Sequence, residues 1–107
     1  MLEAISKTNF KNEVLQNPNL VLVDYWSPTC GPCDLYNEVL GNYKNPKITN
    51  LKVYKVNVDE EIELADQEQI LVLPTTKIYA AGQCLKTILG VQNKTDLDTI
   101  LEKLRLG

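Results

Sequence analysis

The sequence predicts an α/β fold in which one mixed, mostly parallel sheet carries helices on both faces. Three observations lead there. Strand-like and helix-like stretches follow each other in the order β-α-β-α-β-α-β-β-α, which implies parallel crossover units first and an antiparallel edge last. Leu20–Val23 is a run of four apolar residues, the pattern of a central strand covered on both faces. Ala81-Gly82-Gln83 separates two strand-like stretches and suits a hairpin turn. At 107 residues the chain can bury one core, so a single domain over residues 1–107 is expected.

Each element has a local reason. Leu2–Ile5 reads as a short first strand. Thr8 is placed to cap a helix over Asn9–Gln16, with Phe10 and Val14 on one face at i,i+4, and Pro18 ends it. Leu20–Trp26 is the central strand, interrupted by Asp24. Cys33–Tyr43 has Leu35, Val39 and Tyr43 on one stripe with Tyr36 and Leu40 beside it, a helical spacing, and Gly41 weakens its second half. Lys52–Asp59 alternates as a strand with Tyr54, Val56 and Val58 on one face. Glu60–Gln67 is a short acidic helix in which Ile62 and Ala65 are three apart and Leu64 flanks them. Thr75–Ala80 and Cys84–Leu89 are the hairpin strands, and Gly90 ends the second. Thr95 is placed to cap a last helix with Leu97, Ile100, Leu101 and Leu104 at i, i+3, i+4 and i+7. Its acids lie in the first turn and its bases in the last.

Composition removes several functions. Hydrophobic residues make up 44% and charged residues 23%, an ordinary globular balance rather than a disordered one. The net charge is −3 with no basic block, so nucleic-acid binding has little electrostatic basis. No apolar run approaches the roughly 20 residues of a membrane helix, and the N-terminal stretch lacks the basic and apolar regions of a signal peptide. A cytoplasmic chain with reduced thiols is therefore expected. There is no His, which removes Ser-His-Asp and Cys-His catalysis and any imidazole metal ligand.

The residues that carry chemistry are Cys30-Gly31-Pro32-Cys33, between a buried strand and a helix. Two thiols three apart across a helix start have side chains roughly 5–6 Å apart, near what a disulfide requires. Cys30 falls at or just before the helix N-terminus, where free N–H groups and the helix dipole favour a thiolate, so its pKa is expected below the free-thiol value. Pro32 suits an early helical position, where its missing N–H costs nothing, and Gly31 keeps the approach to Cys30 open. The chemistry needs asymmetry: Cys30, exposed and partly ionised, attacks a substrate disulfide, and Cys33, more buried, then attacks Cys30 and releases the reduced substrate. The spacing alone also allows two unrelated thiols or half a zinc site; its place in a βαβ pattern favours redox use. The dithiol itself carries two electrons, so no cofactor is needed. A metal site from Cys30, Cys33 and Cys84 would lack a fourth ligand, and none is expected.

With these residues in place the chain resembles thioredoxin over nearly its whole length. The resemblance rests on Val21-Leu22-Val23-Asp24-Tyr25-Trp26, the Cys30–Cys33 motif, Lys55-Val56-Asn57-Val58-Asp59, Leu73-Pro74-Thr75, and Gly82 and Gly90. It implies a thioredoxin-like three-layer sandwich and a protein disulfide reductase regenerated by a thioredoxin reductase-type donor, with a monomer as the default. A chain dedicated to one partner and a redox-silent module on the same scaffold are the alternatives.

The resemblance also gives roles to other residues. Asp24, costly to bury as a charge, becomes the candidate base toward Cys33, with a structural acid at a strand end as the lesser alternative. Lys55 would tune Asp24, or be a solvated strand residue. Pro74 would be cis, with the Leu73 backbone free to pair with an extended substrate; spacing alone makes it a turn proline. Trp26 would pack under the active-site loop, and Gly90 and Val91 would line the apolar rim where partners dock.

The chain departs from the family at three places near the site. Thr29 stands where a tryptophan is usual, which removes an aromatic docking surface. Asp34 stands where a basic residue is usual; it favours the helix but opposes ionisation of Cys30. Glu38 replaces a helix-bending proline. Cys84, in the penultimate element, is expected in the core, the commonest place for a free cysteine, with a regulatory thiol as the sharper reading.

Overall fold

The computed structural model describes residues 2–106. The elements are β1 (Glu3–Ala4), α1 (Lys7–Phe10, continued by a π-helical turn over Lys11–Leu15), β2 (Val21–Trp26), α2 (Gly31–Gly41), β3 (Lys52–Asn57), α3 (Ile62–Gln67), β4 (Thr75–Ala80), β5 (Gln83–Leu89) and α4 (Lys94–Leu106). The five strands lie in the order β1-β3-β2-β4-β5. β1 and β2 both run parallel to β3, whereas β4 is antiparallel to β2 and to β5. The sheet is therefore mixed, with two parallel and two antiparallel pairings. The predicted α/β sandwich holds, but the sheet is half antiparallel rather than mostly parallel, because β4 pairs antiparallel with the central β2 as well as with β5.

β2 explains the layers. Successive strand residues point to opposite faces. Leu20 and Leu22 join Tyr36 and Leu40 of α2 and Leu97 and Leu101 of α4 in one core. Val21, Val23 and Tyr25 join Phe10 and Val14 of the first helical segment and Leu64 of α3 in the other. Both faces of β2 are thus covered, as its uninterrupted apolar run required. Asp24 has the parity of Leu22 and lies on the α2 side.

Several boundaries differ from expectation for local reasons. Ser6, not Thr8, caps the first helix: its N–H donates to Asn9 Oδ1 at 2.8 Å, a reciprocal arrangement that Thr8 cannot make from inside the helix. Asn93, not Thr95, caps α4: its Oδ1 accepts the Asp96 N–H at 2.8 Å. α2 starts at Gly31, with Cys30 as its cap, and ends at Gly41 rather than Tyr43. Its buried residues are Cys33, Tyr36 and Leu40, at i, i+3 and i+7, so Leu35 rotates outward and is exposed. In α3 the buried pair is Leu64 and Ala65, and Ile62 is exposed. The hairpin turn is two residues long: Ala81 and Gly82 both have positive φ, 50° and 84°, the geometry whose twist matches the flanking strands. Among the described residues no helix is long and apolar enough to cross a membrane.

Candidate redox site

The end of β2 delivers the chain into a short turn, Ser27-Pro28-Thr29, and the turn delivers Cys30 to the N-terminus of α2. Cys30 is extended, with φ −93° and ψ 104°, and Pro32 occupies the first helical turn, where its lack of an N–H is harmless. Cys30 and Cys33 form a disulfide with their Cα atoms 5.3 Å apart. The Cys33 N–H donates to the Cys30 carbonyl at 3.1 Å. The two sulfurs sit in different surroundings. Cys33 is fully buried against the sheet, whereas Cys30 is partly exposed, with Gly31 and Pro32 open to solvent beside it.

Asp24 is fully buried on that same α2 side of the sheet. No protein group hydrogen-bonds either of its carboxylate oxygens. Burial raises its pKa from 3.8 to about 7, against the opposing pull of the Lys55 ammonium. Lys55 is the register partner of Asp24 across β2 and β3, which brings the two side chains to one face. The Lys55 Nζ also lies 5.2 Å from the centre of the Trp26 ring, a cation–π contact. Trp26 is half-buried, and its Nε1–H finds no protein acceptor. Asp24, Lys55 and Trp26 are thus brought together beside the strand end that carries the cysteines.

The Leu73–Pro74 peptide bond is cis, and Pro74 is buried. The Pro74 carbonyl accepts the Gly90 N–H at 2.9 Å, so the entries of β4 and the exit of β5 are tied together. Gly90 has φ +86°, a conformation in which a side chain would be strained. Around this tie stand exposed apolar side chains: Leu71 at 93%, Leu89 at 61%, and Val72 and Val91 less so. Leu71, Val72 and Leu89 escaped sequence reasoning because exposure of an apolar side chain depends on what the fold packs against it, which no local pattern displays.

Cys84 corrects an expectation. It is exposed and free, not in the core. β5 is an edge strand, and nearly every one of its residues is exposed, so the usual burial of a free cysteine does not hold there. Among the described residues, no group of three or more Cys, Asp or Glu gathers in a metal-binding arrangement. Ser27 and Asp59 were also missed. Their hydroxyl–carboxylate bond spans 32 residues, which no local pattern displays.

The thioredoxin family model matches residues 1–103. The chain is 39% identical over 100 residues to Thioredoxin 1 of Synechococcus elongatus, covering 94% of each. It is 36% identical over 104 residues to the chloroplastic M-type thioredoxin of Chlamydomonas reinhardtii, covering 94% of this chain and 71% of that one. Its fold superposes on the crystal structure of a thioredoxin of Malassezia sympodialis with a TM-score of 0.83 and 28% identity, covering 96% of this chain and 90% of that one. A redox-active cysteine pair at a helix N-terminus, in this fold and with these relatives, makes the chain a thiol–disulfide oxidoreductase of the thioredoxin family.

Proposed function

We propose that the chain is a cytosolic reductase of protein disulfides, working as a monomer and recharged by a thioredoxin reductase-type donor. The observation that carries this reading is the asymmetry of the pair: Cys33 is sealed against the sheet and Cys30 is accessible at a helix end. In the reduced chain the Cys30 thiolate attacks one sulfur of a substrate disulfide. A mixed disulfide forms and the first substrate thiolate leaves. Cys33 then loses its proton and attacks Cys30 Sγ, which expels the second substrate thiolate and leaves the Cys30–Cys33 disulfide. Two electrons pass to the substrate, and the donor returns two.

Asp24 is the proposed acceptor of the Cys33 proton. Its pKa of about 7 lets it exist as a carboxylate at neutral pH and still hold a proton. Lys55 keeps that value from rising further. Leu73, beside cis Pro74, offers its backbone to an extended substrate segment, and Trp26, Gly31, Pro32, Gly90 and Val91 form the surface on which the substrate rests. An exposed free thiol at Cys84 suits a compartment that keeps thiols reduced.

The measurement that tests this is the redox equilibrium of the pair against a glutathione series, followed by Trp26 fluorescence and thiol alkylation. A strongly reducing equilibrium supports a reductase. An oxidising one assigns the site to oxidation or isomerisation. Failure to form the intramolecular disulfide leaves only a scaffold role. A second reading, service to one partner, is favoured by the exposed Asp34 in the first turn of α2. Turnover of a panel of unrelated protein disulfides with a generic reductase separates the two. Broad turnover supports the general role, and turnover of a single substrate supports the dedicated one.

A further inference from the structure

The turn that carries Cys30 is held from a distance. Ser27 is buried, 3% exposed, and its Oγ–H donates to Asp59 Oδ2 at 2.7 Å. With that proton committed, the same oxygen accepts from the Thr29 N–H at 3.3 Å and from the Thr29 hydroxyl at 3.0 Å. One donor and two acceptor sites are all a hydroxyl has, so Ser27 Oγ is fully used. The Ser27 carbonyl in turn accepts the Cys30 N–H at 3.0 Å. Asp59 is itself fixed: its N–H donates to Asn57 Oδ1 at 2.9 Å, just after β3 ends. The neighbouring Val58 N–H donates to the Trp26 carbonyl at 2.9 Å, which stitches this corner to the end of β2.

These bonds form one chain from the rim of the sheet to the backbone of Cys30. We propose that Ser27 and Asp59 are positioning residues for disulfide exchange. Through Ser27, the Asp59 carboxylate holds Cys30 at the N-terminus of α2 when the pair is reduced as well as oxidised, and so sets how readily Cys30 attacks. Without the anchor the turn gains freedom just before the helix. The sulfur then spends less time where the first-turn N–H groups and the dipole stabilise its thiolate, an effect that fades within one turn. The inference rests on Cys30 being the attacking thiol.

Ser27→Ala tests it cleanly because it removes the hub without changing any charge. All proteins carry Cys84→Ser, so that the exposed third thiol does not report. The reduced proteins are alkylated with iodoacetamide over a pH series, the modified cysteine is located by mass spectrometry, and each protein is equilibrated with glutathione. Ser27→Ala is expected to slow Cys30 alkylation about two- to five-fold on the acid side of its titration and to move the midpoint upward. Asp59→Asn keeps an oxygen that accepts from Ser27 and is expected to hold the wild-type profile within about twofold, whereas Asp59→Ala follows Ser27→Ala. The double variant is expected to add little to Ser27→Ala, because the two act through one link.

A wild-type profile and glutathione equilibrium in Ser27→Ala, even with a lowered melting temperature, would overturn the proposal, since the anchor would then be merely structural. First modification at Cys33 would overturn the attacking-thiol reading beneath it. If Ser27→Ala does not fold, Thr29→Val removes one of the two contacts onto the hub at an exposed residue. A shift in the same direction supports the proposal and an unchanged profile sinks it.

Discussion

Asp24 sits where a charge is expensive, and that cost sets a pH signature. Its pKa rises from 3.8 to about 7 on folding, because burial disfavours the carboxylate more than Lys55 favours it. Between those values the folded chain holds a proton that the unfolded chain has released. Stability therefore falls as pH rises from about 4 to about 7 and levels off above, a loss on the order of 4 kcal/mol. Asp24→Asn removes the charge and keeps the shape. It is expected to stabilise the chain by about 2–4 kcal/mol at about pH 8 and hardly at all at about pH 4, where the native acid is already neutral. Urea unfolding at both pH values checks this, and an equal effect at both would show that ionisation is not the cause. The same variant should slow release of the second product at least about tenfold, with mixed disulfide accumulating, if Asp24 takes the Cys33 proton. Asp34 acts on the other sulfur. It lies in the first turn of α2, the helix that Cys30 caps, and it is exposed. Asp34→Asn is expected to speed Cys30 alkylation about two- to five-fold at low salt and less at high salt, where screening removes the repulsion. A rate that ignores salt would rule out the charge as the cause.

At the scale of elements, the cysteines orient the helix that carries them. Cys33 must face the sheet to be sealed, which puts Tyr36 and Leu40 on the buried line and Leu35 outside it. Leu40→Ala is expected to cost about 2–5 kcal/mol, whereas Leu35→Ala should change stability by less than about 0.5 kcal/mol. Comparable losses from both in denaturant unfolding would contradict this orientation. The sequence reading put Leu35, Val39 and Tyr43 on one stripe with Tyr36 and Leu40 beside it; once Cys33 is counted as apolar, the i, i+3, i+7 series of Cys33, Tyr36 and Leu40 is legible. The helix caps were misread differently. Thr8 and Thr95 are acceptable cap residues, but Ser6 and Asn93 lie two residues earlier: the Ser6 N–H donates to Asn9 Oδ1, and Asn93 Oδ1 accepts the Asp96 N–H. Choosing between such pairs requires the backbone geometry. Cys84 was misplaced because the burial habit of free cysteines is an average over positions, and cannot show whether anything covers this strand. The strand order, with β5 at the edge, decides that.

Across the whole molecule, what could be read from the sequence is what acts locally or along a strand: the covered run of β2, the hairpin, the Cys30–Cys33 spacing and the oddity of Asp24 inside apolar residues. What could not be read joins distant segments, as when Ser27 meets Asp59 or the Gly90 N–H meets the Pro74 carbonyl. The redox pair itself belongs to the local class, and that has a consequence for folding. The two cores lie on the faces of the sheet, and of the two cysteines only Cys33 is buried with them. The disulfide closes a ring of residues separated by only three positions, so it restricts the unfolded chain little, by about 2 kcal/mol in the loop-entropy account. Stabilisation of the Cys30 thiolate by the helix end favours the reduced form and reduces that difference. The oxidised chain is therefore expected to be more stable than the reduced chain by no more than about 2 kcal/mol, with the same denaturant slope, because both forms bury the same surface. A thermodynamic cycle ties this to the redox equilibrium. The disulfide must form more readily in the folded chain than in the unfolded one by the same free energy, at most about 30-fold in the equilibrium with glutathione. Urea unfolding of both forms gives one side of the cycle, and glutathione titration with and without urea gives the other. A change of slope on reduction would mean that losing the disulfide opens part of the core, and would overturn the view that the redox site is mounted on a fold that stands without it.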